Sequence, residues 1–584
     1  MKRIMIVLFC CLFLLTSCSS SSITTETETA MKQMYGENKE LTGDYNKKSA
    51  VVTNNGTYVG KEEKRVVSYK GIPYAKPPVG KLRWKPPVEV DKSNKVFEAY
   101  YFGKSGIQTK TETERASYYE QGEDNLSLNI WTSSDSTSPL KPVMVYIHGG
   151  SYGWGGTSDP MYDGHNFVEA HPDVILVTIN YRIGMMGFID FSIVPGGEHY
   201  SDSRNLGILD QIMALKWIQQ NITNFGGNAS NVTIFGESAG GGSVSVLMST
   251  PAAKGLFSRA IAQSGSIALT YGEGECLNLT QMLMQKSGAS TMDDLLALSE
   301  EKLTEFNKNL NEYNCFPTRD GKLIPNDLYK AYEQGAGHDV DLLIGTNADE
   351  ARYWVGEIGG LFKYKLMLPI LYQNNVTQIS KEDKKYVNAF MNMQDDQPIW
   401  KMTEFYNEVM FRVPAILQAQ YHANNSGNTY MYYWTYPSAI KDYGAAHAVE
   451  LAYVFNNLDQ TLYNGNNINK ELASTVQEMW VNFAKTGNPS TSTLKWPQYN
   501  QVTRTTMVLG SKSHVEDDVL GEQRKMIEPL MKYHFNGRYS ELSLWVPHVY
   551  KLVGVAATIF VSLLIITIFF VKRIRRLNAL KQKA

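Results

Sequence analysis

Cysteine is scarce in this chain. Of five cysteines, Cys10, Cys11 and Cys18 lie in or beside the first apolar run, which leaves Cys276 and Cys315 for everything downstream. An excess of positive charge is also missing: 56 basic residues stand against 58 acidic ones. Setting aside Lys2, Arg3 and six basic residues at the C-terminus leaves 48 against 58, which excludes nucleic acid as a partner. No period of 20 to 50 residues recurs, so solenoids and propellers are excluded. No His/Cys/carboxylate cluster suggests a metal, and nothing in the chain asks for a cofactor. Bias toward disorder is absent over most of the length, and a hydrophobic content of 43% in 584 residues can bury a large core.

What is present is organised around Phe225 to Gly242, FGGNASNVTIFGESAGGG. The β-branched run Val232-Thr233-Ile234-Phe235 predicts a buried strand, Gly236 to Gly240 a sharp turn, and the small residues from Ser243 to Met248 a helix. Glycines two residues either side of Ser238 let the backbone turn tightly and clear space at the hydroxyl, as a nucleophile elbow requires. The helix N-terminus behind Ser238 favours a developing oxyanion. Upstream, Pro142 to Ile147 reads as a buried strand delivering the glycine-rich loop His148 to Gly156, and Val174 to Ile179 as the next strand. Leu206 to Asn221, with Leu209, Met213, Trp217 and Ile218 at helical spacing, predicts an amphipathic helix. Asn54-Asn55-Gly56 predicts a hairpin.

Around the elbow the chain resembles a type-B carboxylesterase of the cholinesterase-like α/β-hydrolase family. The likeness continues through Lys70 to Ala75 with Pro77 to Gly80, through Leu128 to Trp131, Asn180 to Arg182, Asn205 to Gly207 with Asp210-Gln211, and Phe483 to Pro489. It implies an α/β fold with a mostly parallel central sheet flanked by helices over residues 49–535, and hydrolysis of small-molecule carboxylic esters. It also implies backbone N–H donors to the oxyanion at Gly150, Ser151 and Ala239; the family usually has glycine where Ser151 stands.

A serine hydroxyl needs a base, and the base needs an acid to hold its tautomer. In this fold the order is Ser, acid, His. Asp341 to Thr346 reads as a strand with Asp349-Glu350 just past its end, and sequence physics does not separate those two acids. The family pattern assigns Glu350 and leaves Asp349 as a helix cap. His422, His447, His514, His534 and His548 follow the acid. Only His447 sits in a small-residue loop after an aromatic strand, Tyr430 to Tyr436, a setting that resembles the family's histidine loop. By the same resemblance Glu237 points into the site beside Ser238. An unperturbed imidazole would let activity fall below pH ~6.5.

The termini carry addresses. Lys2 and Arg3, the apolar run Ile4 to Leu15 and the small residues after it predict a signal peptide over 1–22. Leu15-Thr16-Ser17-Cys18 also resembles a bacterial lipoprotein box, but a second anchor makes that redundant. That anchor is Leu552 to Val571, twenty uncharged residues followed by Lys572, Arg573, Arg575, Arg576, Lys581 and Lys583. This predicts a type I membrane protein of the secretory pathway, its catalytic domain extracellular or lumenal. A disordered leader (23–48), a stalk (536–551), a transmembrane helix (552–571) and a cytoplasmic tail (572–584) complete the division. Sequons stand at Asn55, Asn125, Asn221, Asn228, Asn231, Asn278, Asn375 and Asn424, the mark of a glycoprotein. A homodimer is left open.

Two departures from the family pattern bear on covalent framework and substrate. Asn125 stands after Glu123-Asp124 where relatives place a cysteine, so a Cys276–Cys315 bridge is expected instead, worth roughly 4 kcal/mol through loop closure. No tryptophan occurs from Gly103 to Ile130, where cholinesterases resemble one another in placing one for a quaternary ammonium. Arg115 would repel choline, Tyr118 and Tyr119 could substitute in part, and Tyr313 would narrow the acyl pocket. The expected substrate is therefore a neutral, short-chain ester. Neuroligin-like adhesion proteins, which share the fold but commonly lack a working triad, and cholinesterase proper are the rival readings.

Overall fold

Apolar runs with β-branched residues set the frame. The computed structural model describes residues 34–108, 120–135, 139–310, 315–357, 361–394, 396–425 and 427–581. Its strands, in chain order, are β1 (Ala50–Thr53), β2 (Gly56–Val59), β3 (Lys61–Glu63), β4 (Val66–Pro73), β5 (Val96–Glu98), β6 (Ser127–Ser133) and β7 (Lys141–Ile147). There follow β8 (Ile175–Ile179), β9 (Gly227–Glu237), β10 (Arg259–Gln263), β11 (Asp341–Asn347), β12 (Thr429–Trp434), β13 (Thr505–Leu509) and β14 (His514–Asp517). An eleven-stranded sheet runs β14-β13-β12-β11-β10-β9-β7-β8-β6-β4-β3, and β1-β2-β5 form a small second sheet. Every pair from β13 across to β8 is parallel, and the pairs outside that block are antiparallel.

Parallel strands buried on both faces explain why these segments read as continuous apolar runs. Along β7, Val143, Val145 and Ile147 enter one core layer while Met144 and Tyr146 enter the other, the period-two alternation of a strand. A third apolar cluster, from Ala351 and Val355 through Phe411 to Phe535, belongs to helices beyond β11 and β12.

The helix Leu206–Asn221 falls where expected, but its burial is deeper than a single stripe. Ile208, Ile212, Leu215 and Ile218 are buried, whereas the predicted Leu209 and Met213 are only half-buried. Asp210 is enclosed with them because Arg182 answers it twice, Nε to Oδ2 at 2.8 Å and Nη2 to Oδ1 at 2.6 Å. A buried carboxylate survives only with such a partner. Gln211 Nε2 then donates to Ser243 Oγ at 3.0 Å, tying this helix to the one behind the elbow.

Two expectations change here, the disorder of the leader and the full set of glycan sites. The leader is ordered in its last part: Tyr35 OH donates to Ser158 Oγ at 2.5 Å, and Leu41 N donates to Val96 O at 2.8 Å. The signal segment, 1–22, lies outside the described residues. Asn54 and Asn55 do form the hairpin loop, yet Asn55 is buried, donating to Tyr58 OH and Pro73 O at 2.9 Å. With Asn125, Asn221 and Asn375 also buried, four of the eight sequons cannot carry a glycan on the folded chain.

At the C-terminus, Asn536–Lys581 is one helix of 46 residues. Among the described residues no helix is long and apolar enough to cross a membrane. The side chains of 552–554, 556 and 557 lie outside them, and the fully described part of the run, Thr558 to Val571, has 14 residues.

Candidate active site

Ser238 follows the last residue of β9 and caps the helix Ala239–Ser249 with φ +57° and ψ −121°. A non-glycine residue held there is strained, at a cost of order 1 kcal/mol or more. Its neighbours over-determine the turn: Ser238 N donates to Gln263 O at 2.9 Å, and Ser238 O accepts from Gly242 N at 2.8 Å. The flanking glycines are explained by closeness. A Cβ on Gly236 would lie 2.5 Å from the Gly240 carbonyl carbon, and one on Gly240 would overlap Ile147 O at the end of β7.

The acid and the histidine reach the same end of the sheet from β11 and β12. Glu350 opens a 3-10 turn, Glu350–Tyr353, and is fully buried. Its Oε1 accepts from Asn347 N at 2.7 Å, and its Oε2 lies 2.5 Å from His447 Nδ1. The structure thus separates the two acids that the sequence left side by side. Asp349 makes no side-chain cap; it accepts from Ala445 N at 2.8 Å and from Arg352 Nε at 2.9 Å, holding the histidine loop. Gly444 (φ +60°) is glycine because a Cβ would overlap the Asp349 carboxylate.

Glu237 is buried beside the pair, with Oε1 3.2 Å from His447 Nε2. Burial opposes charge on the His447 ring, but the Glu237 and Glu350 carboxylates outweigh it and push its pKa up to about 9. A third carboxylate, Glu450, sits behind them. Asn347 Nδ2 donates to it at 2.7 Å and Gln263 Nε2 at 3.1 Å, and burial holds its carboxyl above the usual range. Since Asn347 also donates to Glu350 and Gln263 accepts from Ser238, Glu450 joins the ends of β10 and β11 to the histidine loop. Trp354 stacks on the His447 ring with centroids 5.5 Å apart, and Phe411 packs on it at 5.1 Å.

The loop after β7 lies against the elbow. A Cβ on Gly149 would be 3.0 Å from Glu237 Oε2 and 3.1 Å from Ser238 Cβ. Gly150 has φ +103° and no room for a Cβ beside Trp154 O, whereas Ser151 and Tyr152 adopt φ +51° and +56°. Tyr152 anchors these turns: its carbonyl accepts from Gly184 N at 2.6 Å, and its ring packs edge-on against Phe188 at 5.0 Å. His148 stacks on Tyr181 at 4.5 Å and burial lowers its pKa to about 4, so it stays neutral.

A family model described as "Carboxylesterase family" matches residues 47–527. The para-nitrobenzyl esterase of Bacillus subtilis (strain 168) is 34% identical over 505 residues, covering 82% of this chain and 98% of that protein. The liver carboxylesterase of Sus scrofa is 34% identical over 505 residues, covering 76% of this chain and 86% of that one. A crystal structure of the Geobacillus stearothermophilus carboxylesterase EST55 aligns with a TM-score of 0.73 at 32% identity, over 82% of this chain and 99% of the other. The chain belongs to the carboxylesterase family. It is a carboxylic ester hydrolase, and its mixed sheet with flanking helices is an α/β-hydrolase-like fold.

In this carboxylesterase the expected disulfide is not formed. Cys276 and Cys315 are both buried and are not joined to each other. Cys276 Sγ is turned to the Phe188 carbonyl, 3.9 Å away, and burial pushes the thiols up to about 11 and about 12 respectively. Enclosed, protonated thiols are poor partners for oxidation. Tyr313 and the segment 109–119 with Arg115, Tyr118 and Tyr119 lie outside the described residues. Sequence reasoning missed Glu450, Asn347, Gln263, Trp354 and Phe411. Glu450 had one visible signal, an acid three residues after His447; the others are polar strand-end or aromatic helix residues of ordinary appearance.

Proposed function

We propose that this carboxylesterase works through Ser238, His447 and Glu350. Ser238 Oγ attacks the acyl carbon, and His447 Nε2 takes the hydroxyl proton and returns it to the leaving alcohol. Water, activated by the same nitrogen, then hydrolyses the acyl-enzyme. Glu350 fixes the tautomer and stabilises the imidazolium. The N–H groups of Gly150, Ser151 and Ala239 bind the oxyanion. One observation carries the reading: with Nδ1 bound to Glu350 at 2.5 Å, Nε2 faces the elbow, within 3.2 Å of the residue preceding Ser238.

Substrate preference follows from the lack of a tryptophan between Gly103 and Ile130 and from Arg115, which together favour neutral, short-chain esters over choline esters. The exposed apolar side chains from Ile559 to Val571, followed by basic residues, support a membrane anchor with the catalytic domain on the extracellular or lumenal side. Fluorophosphonate labelling tests the nucleophile: wild type should be labelled and Ser238→Ala should not. Comparison of kcat/KM for acetylcholine and an uncharged isostere tests the substrate. A tenfold preference for the choline ester, about 1.4 kcal/mol of transition-state binding, would point to a cation site and reverse the assignment.

A further inference from the structure

The Glu350 turn and the His447 ring are touched by one short stretch of helix that the triad does not include. Asn407–Arg412 is a π-helical turn, a rare conformation that concentrates at functional sites because it re-aims side chains at the expense of regular hydrogen bonding. Asn407 is 3% exposed, and every polar atom of its amide is engaged. Oδ1 accepts from Ala351 N at 2.7 Å, while Nδ2 donates to Ala348 O at 3.1 Å and to Glu404 Oε2 at 2.7 Å. Only this orientation of the amide works, because the reverse would face oxygen to oxygen at two contacts. The two main-chain partners bracket Asp349-Glu350, one on each side. Four residues on, Phe411 packs on the His447 ring at 5.1 Å.

The turn is itself anchored. Arg412 pairs with Glu408 through both carboxylate oxygens, at 2.6 and 2.7 Å, and its Nη1 donates to Val519 O at 2.8 Å. Glu408 and Arg412 are both buried, so the pair is shielded from bulk solvent.

We propose that Asn407 is a positioning residue for the reaction, holding the turn that carries Glu350 so that its carboxylate meets His447, while Phe411 of the same π-turn holds the ring. The inference rests on the assignment of Glu350 as the triad acid. A bond of 2.5 Å between two buried groups tolerates little displacement, and a shift of even 1 Å in a catalytic constellation costs about a hundredfold in rate.

The test uses Asn407→Asp, which is nearly isosteric but sets an oxygen against Ala348 O and Glu404, and Asn407→Ser, which removes the clamp without adding charge. Both are measured in the full chain, with thermal midpoints to confirm folding; if the Asp variant does not fold, the Ser variant decides. We expect kcat to fall at least tenfold with KM within twofold, fluorophosphonate labelling to slow in proportion, and no further loss when either change is made in Glu350→Gln. Residues that act through one another lose activity only once. Variants that keep kcat within twofold, a loss confined to KM, or losses that multiply with Glu350→Gln would overturn the proposal. Wild-type kcat in Glu350→Gln alone would instead remove the acid assignment beneath it.

Discussion

His447 Nε2 lies 3.2 Å from the Glu237 carboxylate, so the nitrogen that accepts the Ser238 proton in the proposed reaction is itself held beside a negative charge. Together with Glu350 at Nδ1, this makes the imidazolium the favoured form up to a pKa of about 9. The structure therefore revises the midpoint of ~6.5 expected for an unperturbed ring.

The pH dependence follows with a definite sign. A protonated ring cannot act as base, so kcat/KM of the free enzyme should rise with pH through a midpoint near 9, losing activity as pH falls below it. Glu237→Gln removes one of the charges responsible and should move that limb toward the ordinary histidine range. Superimposable pH–rate profiles for the two proteins would show that Glu237 does not set the histidine.

Loss of triad members should not accumulate. Ser238→Ala and His447→Ala should each cost on the order of 10⁴-fold or more in kcat, and the double variant little beyond the worse of the two, because the groups act as a unit. Active-site titration with single-turnover rates for all three proteins measures this.

At the oxyanion loop, Gly150→Ala should cost on the order of a hundredfold in kcat and lower the thermal midpoint, since its Cβ would overlap Trp154 O at φ +103°. Ser151→Gly keeps the N–H and relieves the φ of +51°, so kcat should stay within a few-fold. Steady-state rates and melting curves for the pair separate a geometric role from a side-chain one.

No disulfide joins Cys276 and Cys315, so a reductant should leave the melting temperature unchanged and alkylation after denaturation should count two thiols there. Before denaturation the thiols should alkylate slowly, since burial keeps them protonated. Peptide mass mapping that finds them joined would reverse this.

Truncation before Leu552 should convert a membrane-bound esterase into a soluble one of equal kcat. Fractionation of the full and shortened chains measures it; equal recovery in the soluble fraction would exclude the anchor.

The sequence by itself determined the elements whose signals are local. Strands β7, β8, β9, β11 and β12 announce themselves as apolar runs because they are buried on both faces, and the elbow announces itself because Gly236 and Gly240 face backbone that a Cβ would strike. Composition and order likewise brought out Ser238 and His447, while the pairing of acid with base was beyond local signal. Asp349 and Glu350 are adjacent and chemically alike, and only the fold shows one carboxylate on His447 Nδ1 and the other on the Ala445 N–H. The same holds for Glu237, Glu450 and Asn407, polar residues whose roles arise from partners between 56 and 210 residues away in the chain. Hydrogen-bond geometry and low-dielectric coupling depend on distance in space, which sequence spacing does not carry, so the tertiary structure alone decided the charge on His447 and the clamp on Glu350.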